Sequence, residues 1–345
     1  MSAQTGVHLL RTDDREAEVE ALVSHVGRRV GLRGVLRDLN REARAVTVPA
    51  RAASWGFRWD HDDHRDQRWW PQGITTSADA GDPEDFEGRT VLLTSWYAHE
   101  LDGVAMGSRL TVVDLSDRTR IRYRHVLLVT PVLTDGQLDV RPVHVHAGGI
   151  VWHGEHLHVA GTARGLSSFR LDDVVRSDGF DLFGYRYLLP VRFTYDARAA
   201  PNEEPMRYSF ASVDRSSTPH ALVVGEYGRS TMSTRLARFE IDQATSLLSV
   251  DGDAVSRPQL LEHGIAGMQG ATVVDGTWFV TTSRGPYRMG SVWVGTPGAL
   301  TEHRARLPIG PEDITYWPSR DELWSLSEYP HARYVFGMPR AHLAG

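Results

Sequence analysis

Acidic side chains stand beside short apolar runs in the C-terminal half of the chain. Glu226 follows ALVVG, Glu312 and Asp313 precede ITYW, and Glu328 follows LWSLS. Carboxylates crowded into one cleft raise one another's pKa values, which suits general acid or base catalysis. The same oxygens could instead hold a hard divalent cation such as Ca²⁺ or Mg²⁺. We expect Glu226 and Glu312 to be catalytic, with a bound cation as the open alternative.

A histidine adds a second kind of proton carrier. His146 titrates near neutral pH, so we expect it to exchange protons with a substrate together with Glu312. His144 would point to the same side of an extended chain, and the two imidazoles could also ligate a metal. The segment WDHDDHRDQRWW at 59–70 is rich in potential ligands. Its spacing matches neither the zinc-helix nor the calcium-loop motif and favours a solvated, charged loop.

Two Arg-Gly pairs end similar segments of the sequence. The guanidinium groups of Arg164 and Arg284 could clamp an anionic substrate bidentately, or each could neutralise a neighbouring glutamate. Amide and aromatic side chains at related positions could orient the substrate by hydrogen bonds and by stacking. The predicted substrate-binding residues are Gln72, Arg164, Gln269, Arg284, Trp70, Tyr97, Tyr227 and Glu328.

The elements that would position these side chains form a repeat. HAGGIVWHGEHLHVAGTARG (146–165) and MQGATVVDGTWFVTTSRG (268–285) share a small-residue start, a hairpin glycine and an Arg-Gly end. Related segments occur at 69–98, 208–228 and 311–330, with short β-branched and aromatic runs after them. Four strands per unit around a circle indicate an all-β, five-bladed β-propeller. Its blades would start near 71, 146, 208, 268 and 311, with small residues where the inner strands approach one another.

The last unit lacks a fourth strand. We expect residues 43–50 (ARAVTVPA) to pair there and close the ring, unless they belong to an incomplete sixth unit. Before them, Val19, Leu22, Val23 and Val26 follow helical spacing, and Asp13 could cap that helix. The predicted domains are therefore a helical extension at 1–42 and the propeller at 43–345. The extension packs on the propeller or serves as an interface for a partner.

The composition excludes several chemistries. The chain has 345 residues, no cysteine and no lysine, since all 38 basic residues are arginines. This excludes thiol nucleophiles, iron–sulfur clusters, a lysine-bound pyridoxal phosphate and a Walker-type phosphate loop. With a net charge of −6 and scattered arginines, we expect no nucleic-acid partner.

The same patterns bear on partners and compartment. The apolar runs are too short to span a bilayer, so we expect no membrane partner. No secretory signal is visible, which predicts a cytoplasmic protein, although secretion after removal of a signal is an open alternative. A small-molecule substrate is the expected partner, and the oligomeric state is left open.

Several motifs resemble a known group of sequences. RWWPQGITTSADA, HAGGIVWHGEHLHVAGTARGL and LPIGPEDITYWPSRDELWSLSEYP resemble those of a group of largely uncharacterised actinobacterial β-propeller proteins, many of them labelled secreted. The resemblance covers roughly residues 55–340 and implies a propeller fold but no established reaction. Five-bladed glycoside hydrolases and furanosidases share this architecture and place three acids in set blades. Those acids do not map here without forcing the register, so no glycosidase is assigned.

These observations favour an enzyme that acts on a polar or anionic small molecule at the mouth of the propeller channel. Its chemistry would be acid/base catalysis by a lyase, hydrolase or cyclase/isomerase. The alternatives are a non-catalytic propeller that binds a carbohydrate or protein, and a scaffold that assembles through its N-terminal helix. An enzyme should show a deep cavity with a strongly perturbed carboxyl or imidazole group. A binding module should show a shallow aromatic face, and a scaffold an exposed apolar patch.

Overall fold

The computed structural model describes residues 6–229 and 231–343 and is an all-β fold with a few short helices. The outermost residues of the two predicted domains, 1–5 and 344–345, lie outside the described part of the chain. The N-terminal elements are β1 (His8–Arg11), α1 (Glu16–Val26), α2 (Gly31–Leu36), β2 (Arg41–Glu42), β3 (Arg44–Ala45), β4 (Trp55–Arg58) and α3 (His61–Arg65).

Antiparallel units follow one another along the rest of the chain. The first contains β5 (Trp69–Thr76), α4 (Ser77–Ala80), β6 (Val91–Ala98), β7 (Ser108–Asp114), β8 (Arg122–Thr134) and β9 (Gln137–Pro142). The second contains β10 (Ile150–His153), β11 (His156–Ala160), β12 (Gly165–Arg170), β13 (Val175–Arg176) and β14 (Tyr187–Arg198). The third contains β15 (Phe210–Asp214), β16 (Ala221–Gly225), β17 (Arg235–Asp242), β18 (Leu247–Leu248) and β20 (Leu260–His263). β19 (Val255–Ser256) lies in the same stretch of the chain but pairs with β1 instead of with this sheet.

The remaining strands complete the arrangement. They are β21 (Met268–Val274), β22 (Thr277–Thr282), β23 (Met289–Thr296) and β24 (Ala299–Ile309), and then β25 (Pro311–Trp317), β26 (Glu322–Ser327) and β27 (Tyr334–Pro339). Short 3₁₀ helices cover Leu171–Asp173, Pro318–Arg320 and Arg340–His342.

Tight turns join the first two strands of the repeated segments. Between β21 and β22, Asp275 and Gly276 have φ angles of 50° and 78°, the left-handed conformation that a two-residue hairpin turn requires. Gly154, between β10 and β11, also has a positive φ of 55°. The two hairpin glycines of the sequence repeat therefore occupy turns that favour glycine.

The innermost strands contact one another in a ring. β5 contacts β10 and β25, β10 contacts β15, β15 contacts β21, and β21 contacts β25. Their backbones come so close that a Cβ atom on Gly149 would lie 1.9 Å from the nitrogen of Ala211. A Cβ atom on Gly270 would lie 2.6 Å from the Cα atom of Asp313. Sheets placed around a central channel in this way form a β-propeller, with small residues where the inner strands meet.

The strand that closes the ring is not the predicted one. β4 pairs with β27, with Phe57 opposite Val335, whereas only the two residues of β3 pair with the outer side of β4. The prediction that 43–50 closes the ring is therefore wrong. Both residues of β3 are exposed, and Pro49 cannot donate to a sheet ladder. Phe57 is fully buried, so β4 is the segment that gains free energy by joining the sheet.

The N-terminal region is partly helical. Val19 and Leu22 of α1 are buried, as the helical spacing predicts, but Arg15 precedes the helix and no side chain caps it, so Asp13 is not the cap. This region also contains β1, which pairs with β14 of the second unit and β19 of the third. The extension at 1–42 is thus joined to the sheets and is not purely helical. Within the described residues, no helix is long and apolar enough to span a bilayer.

Candidate active site

A cavity of about 520 Å³ opens where the ring of inner strands ends. Its lining includes most of the residues that were predicted from the repeat. The first and last of them, Trp70 and Glu328, are 258 positions apart in the sequence. The predicted residues that line this central cavity are Trp70, Gln72, Tyr97, His146, Glu226, Tyr227, Gln269, Glu312 and Glu328. The other lining residues are His99, Thr162, Arg207, Ser209, Gly228, Arg229, Met232, Ser233, Ser283, Gly285 and Tyr329.

Irregular strand pairing turns three of these side chains toward the cavity. The register shifts between Pro71 and Ile74 in β5, between Met268 and Gly270 in β21, and between Pro311 and Ile314 in β25. Such bulges redirect side chains and are common beside active sites. Gln72, Gln269 and Glu312 occupy these irregular positions, which explains why polar groups interrupt otherwise apolar strands.

Glu312 and Glu328 are neighbouring carboxyl groups in the cavity wall, and the charge of Glu328 acts on Glu312. The Nε2 atom of Gln269 donates to Oε1 of Glu312 at 2.7 Å, and Nε2 of Gln72 donates to Oε2 of Glu328 at 3.0 Å. Burial and the neighbouring Glu328 raise the pKa of Glu312 well above its usual value. Burial also raises the pKa of Glu328, against the lowering effect of its hydrogen bond from Gln72. Of the two carboxyl groups, Glu312 is therefore the one that keeps its proton to the higher pH.

A buried arginine contacts the main chain of one member of this pair. The Nε atom of Arg333 donates to the main-chain oxygen of Glu328 at 2.6 Å, and its Nη1 atom donates to the main-chain oxygen of Asp63 at 2.7 Å. Arg333 is completely buried, which lowers its pKa to about 10. Its positive charge lowers the pKa of Glu328, so it favours the charge on Glu328. The sequence analysis missed Arg333, which stands in a turn outside the repeated motifs.

Asp313 lies on the channel axis behind the cavity. Its Oδ2 atom accepts a hydrogen bond from the main-chain nitrogen of Ile74 at 3.2 Å, which ties the last unit to the first. Burial raises the pKa of Asp313 well above its usual value, and the side chain is completely enclosed. Asp313 does not line the cavity. Its position adjacent to Glu312 in the sequence puts it on the opposite face of the strand.

Aromatic rings form one wall of the cavity. The rings of Tyr97 and His146 lie 4.4 Å apart, and those of Trp70 and Tyr329 lie 5.6 Å apart. The Tyr97 hydroxyl and Nε2 of His99 form a hydrogen bond of 2.9 Å. Burial lowers the pKa of His146, so its imidazole is neutral at neutral pH. His99 and Tyr329 were outside the predicted set, although they follow second strands as Tyr97 and Glu328 do.

Glu226 lines the cavity but is committed to an ion pair. Its Oε1 atom accepts from Nη2 of Arg235 at 2.7 Å, and its Oε2 atom accepts from Nε of the same arginine at 3.0 Å. These hydrogen bonds outweigh burial and lower the pKa of Glu226. A carboxylate held in this way does not take up protons near neutral pH. The ion pair therefore argues against Glu226 as a proton donor at neutral pH.

The predicted arginine clamp does not form. Nε of Arg284 donates to Oγ of Ser291 at 3.2 Å, and its guanidinium group pairs with Glu302. Arg284 thus neutralises a glutamate, which was the alternative in the sequence analysis. Arg164 is exposed and lines a different part of the surface. Neither arginine lines the central cavity.

The acidic segment before the first unit is folded, not a solvated loop. Within α3, Asp63 is 2% exposed and accepts hydrogen bonds from Arg109 at 2.9 Å, Tyr123 at 2.7 Å and His125 at 2.9 Å. Asp62 next to it is exposed, as the prediction expected of the whole segment. Among residues 6–229 and 231–343, no group of three or more acidic or histidine side chains has the arrangement of a metal site.

Comparisons with known proteins identify a similar strand arrangement only. A gluconolactonase from Xanthomonas campestris is 14% identical, with 88% of this chain and 89% of that chain covered and a TM-score of 0.39. The GH43_1 enzyme from Xanthomonas citri complexed with xylotriose is 11% identical, with 84% and 91% covered and a TM-score of 0.38. The β-propeller domain of Cps50 (Swd1) from Myceliophteria thermophila is 8% identical, with 86% and 99% covered and a TM-score of 0.35.

Such low identities and TM-scores bear on neither the activity nor the ligand of this chain. No known protein family matches the sequence, and no curated protein matches it either.

Proposed function

We propose that the protein is a five-bladed β-propeller enzyme that catalyses acid/base chemistry with the Glu312–Glu328 pair. The observation that carries this proposal is the pair of buried carboxyl groups, each held by a glutamine amide, in the wall of a 520 Å³ cavity. A protein gains no stability from enclosing such groups without a partner charge, since their ionisation is costly there. Perturbed carboxyl groups in a cleft are typical of catalytic sites.

The ring of five inner strands supports a count of five blades. We assign one blade to each of β5, β10, β15, β21 and β25, and β4 supplies the outer strand of the last blade. The channel mouth then collects one strand end from each blade. This geometry supports a shared site built from segments that are far apart in the chain.

Each member of the pair has one role in the proposed reaction. The Glu328 carboxylate removes a proton from a bound water molecule, which then attacks the substrate. The Glu312 carboxylic acid gives its proton to the oxygen that gains charge or leaves. Glu328 takes one proton from the water and Glu312 gives one proton to the substrate, so the step adds one water molecule and needs no further reactant. A hydrolase is therefore the reaction class that we favour. Gln72 and Gln269 hold the carboxyl groups in register through their amide nitrogens.

The part of the substrate that reacts at this pair is uncharged and polar. In the proposed reaction Glu312 carries a proton and Glu328 carries a negative charge, and this charge repels an anion placed beside it. The rings of Tyr97, His146 and Trp70 supply apolar surface beside it.

A non-catalytic carbohydrate-binding site is the second candidate, and the aromatic wall favours it. Trp70, Tyr227 and Tyr329 line the cavity and could stack on a sugar ring. A binding site needs hydrogen-bond donors and acceptors but not a protonated carboxyl group. The enclosed Glu312 therefore favours the enzyme.

The proposal is tested with a panel of small nitrophenyl esters, anilides and glycosides. We expect the wild-type protein to hydrolyse one class and E312Q to lower kcat by about 100-fold or more, the usual contribution of a general acid. Glu262 on β20 is exposed and outside the cavity, so E262Q is the matched control and should retain full activity. Equal hydrolysis by wild type and by the E312Q/E328Q double variant would contradict the proposal. Sugar binding without hydrolysis of any member would support the binding module instead.

A further inference from the structure

A groove leads from the central cavity to the outside of the molecule. An adjoining cavity shares Tyr97, His146 and Thr162 with the central cavity, and it shares His144, Val145, Ala163 and Arg164 with a third cavity of about 450 Å³. We call the latter two together the side groove. It passes between β9 of the first unit and β12 and β14 of the second. A molecule longer than the central cavity would leave it along this path.

The outer end of the side groove carries an excess of positive charge. Three arginines, Arg15, Arg164 and Arg198, line it together with the carboxylate of Asp196, and Arg15 pairs with Glu18 at 3.6 Å. Asp196 is already paired with Arg198 at 2.9 Å and accepts from the hydroxyl of Thr194 at 2.7 Å. Within the described part of the chain, no carboxylate oxygen lies within 4 Å of the Arg164 guanidinium group. Arg164 is therefore free to bind a ligand.

The turn that carries Arg164 is held in place. The main-chain nitrogen of Thr162 donates to the oxygen of Tyr208 at 3.0 Å, and the nitrogen of Tyr208 donates back at 3.0 Å. Gly165 has a φ of 88°, and a Cβ atom there would lie 2.0 Å from the oxygen of Tyr195. These main-chain contacts with Tyr195 and Tyr208 hold the turn, so its position does not depend on the side chain of Arg164. Arg164, carried on this fixed turn, lines the same cavity as Thr130 and Ser167, and a guanidinium group can bind an oxyanion bidentately.

We propose that the side groove binds a carboxylate or phosphate group at the far end of the substrate, with Arg164 as its principal partner. This inference rests on the proposed function for the position of the reacting end. The substrate would be elongated, with an uncharged reacting part at Glu312 and Glu328 and an oxyanion about one cavity length away. This arrangement keeps the oxyanion away from the negative charge of the carboxyl pair. One site can therefore accept an uncharged reacting part and a charged far end of the same substrate.

Two simple anions test the oxyanion site without any turnover. Glutarate and inorganic phosphate are titrated into the wild-type protein by calorimetry, with glutaramide as the uncharged control. We expect saturable binding of at least one anion and none of glutaramide. R164Q should weaken this binding about tenfold, as loss of a charge-assisted hydrogen bond predicts. R164K should weaken it less, because it retains the charge but loses the second hydrogen bond. Binding of only one anion identifies the oxyanion as a carboxylate or a phosphate.

Matched variants separate this inference from the proposed function. Arg288 is exposed and lines neither the side groove nor the central cavity, so R288Q removes the same charge without changing binding. E312Q/E328Q should still bind the anion, so a failure of catalysis leaves this result intact. The inference is overturned if R164Q and R288Q behave alike, or if neither anion binds the wild-type protein.

Discussion

Glu312 shows how burial creates a reactive group at the scale of one residue. The side chain is 3% exposed, and a carboxylate at this depth has lost its hydration. The Gln269 amide and the neighbouring Glu328 are its polar partners, and neither neutralises a negative charge on Glu312. The proton therefore stays on Glu312 to a higher pH than on an exposed glutamate. The same fact makes Glu312 useful for proton transfer and costly for the fold.

This cost predicts how E312Q changes stability with pH. The folded pKa of Glu312 lies above the ordinary value of 4.5. Its contribution to stability is full below pH 4.5 and is lost as the pH rises through the folded pKa. Glutamine cannot ionise, so E312Q should melt at the same temperature as wild type near pH 4 and at a higher temperature at pH 8. Thermal melts across this range check it, with E262Q as the control. A lower melting temperature of E312Q at pH 8 would contradict it.

Arg333 gives a second prediction at this scale. Its charge lowers the pKa of Glu328, so R333Q should raise that pKa and move the acid limb of the pH–rate profile to higher pH. R333K keeps a positive charge there and should shift the limb less. The quantity to measure is the pH at which the acid limb of the profile falls. A purely structural role of Arg333 would lower the rate at every pH without moving that limb. An unmoved acid limb in R333Q would show that Arg333 does not act on Glu328.

At the scale of elements, α3 follows β4, the strand that closes the ring, and binds to the first unit. Asp63 receives hydrogen bonds from Arg109 on β7 and from Tyr123 and His125 on β8. These donors hold the pKa of Asp63 well below its usual value, so it remains a carboxylate at neutral pH. The main-chain oxygen of Asp63 also accepts from Arg333. The same short helix therefore contacts the first unit and also holds Arg333, which donates to the main chain of Glu328.

Removing the Asp63 charge should destabilise the protein. D63N leaves Arg109 buried without its partner, and the loss of one member of a buried ion pair costs about 3–5 kcal/mol. Asp62 is adjacent and exposed, so D62N is the matched control and should change the free energy of unfolding by less than about 0.5 kcal/mol. Urea unfolding at pH 7 measures both. The Asp63 contribution is present above pH 3.8 and is lost as the pH falls through the lower folded pKa, so the difference between D63N and wild type should shrink in acid.

At the scale of the whole molecule, an N-terminal strand closes a ring that ends with the C-terminal strands. β4 pairs with β27 across an interval of 278 positions between Phe57 and Val335. Without that pairing, β27 would be an exposed edge ready to pair with another chain. The central cavity depends on this closure, because Glu328 belongs to the last unit and its partner Gln72 to the first. Closure of the ring therefore places Gln72 beside Glu328 in the cavity.

A glycine in β4 offers a test of this closure. A Cβ atom on Gly56 would lie 2.6 Å from the oxygen of Val335 and 2.5 Å from Cγ2 of Val48, so G56V should force β4 away from β27. Overpacking of this kind costs about 1–3 kcal/mol or more. No atom lies within 4 Å of a Cβ atom built on Gly252, which makes G252V the matched control. We expect G56V to melt earlier and to self-associate in sedimentation experiments. A monomeric G56V with the wild-type melting temperature would contradict this role of β4.

The sequence by itself determined the all-β class, the hairpin turns and the strand ends that meet in the cavity. These features depend on local patterns: alternation of apolar residues, glycines at positive φ, and equivalent positions in a repeat. For this reason Gln72, Tyr97, His146, Gln269, Glu312 and Glu328 could be selected together before any coordinates were considered. Their common position in the repeat was sufficient, because a ring brings equivalent positions to one axis.

Only the tertiary structure decided which of these groups are free and which are charged. Arg235 neutralises Glu226, Glu302 occupies Arg284, and Arg333 reaches Glu328 from a turn outside the repeat. The closing strand was decided in the same way, by the burial of Phe57 against the last unit. Ionisation depends on burial and on the distance to other charges, and both arise from contacts between distant parts of the chain. Local periodicity carries no information about those contacts.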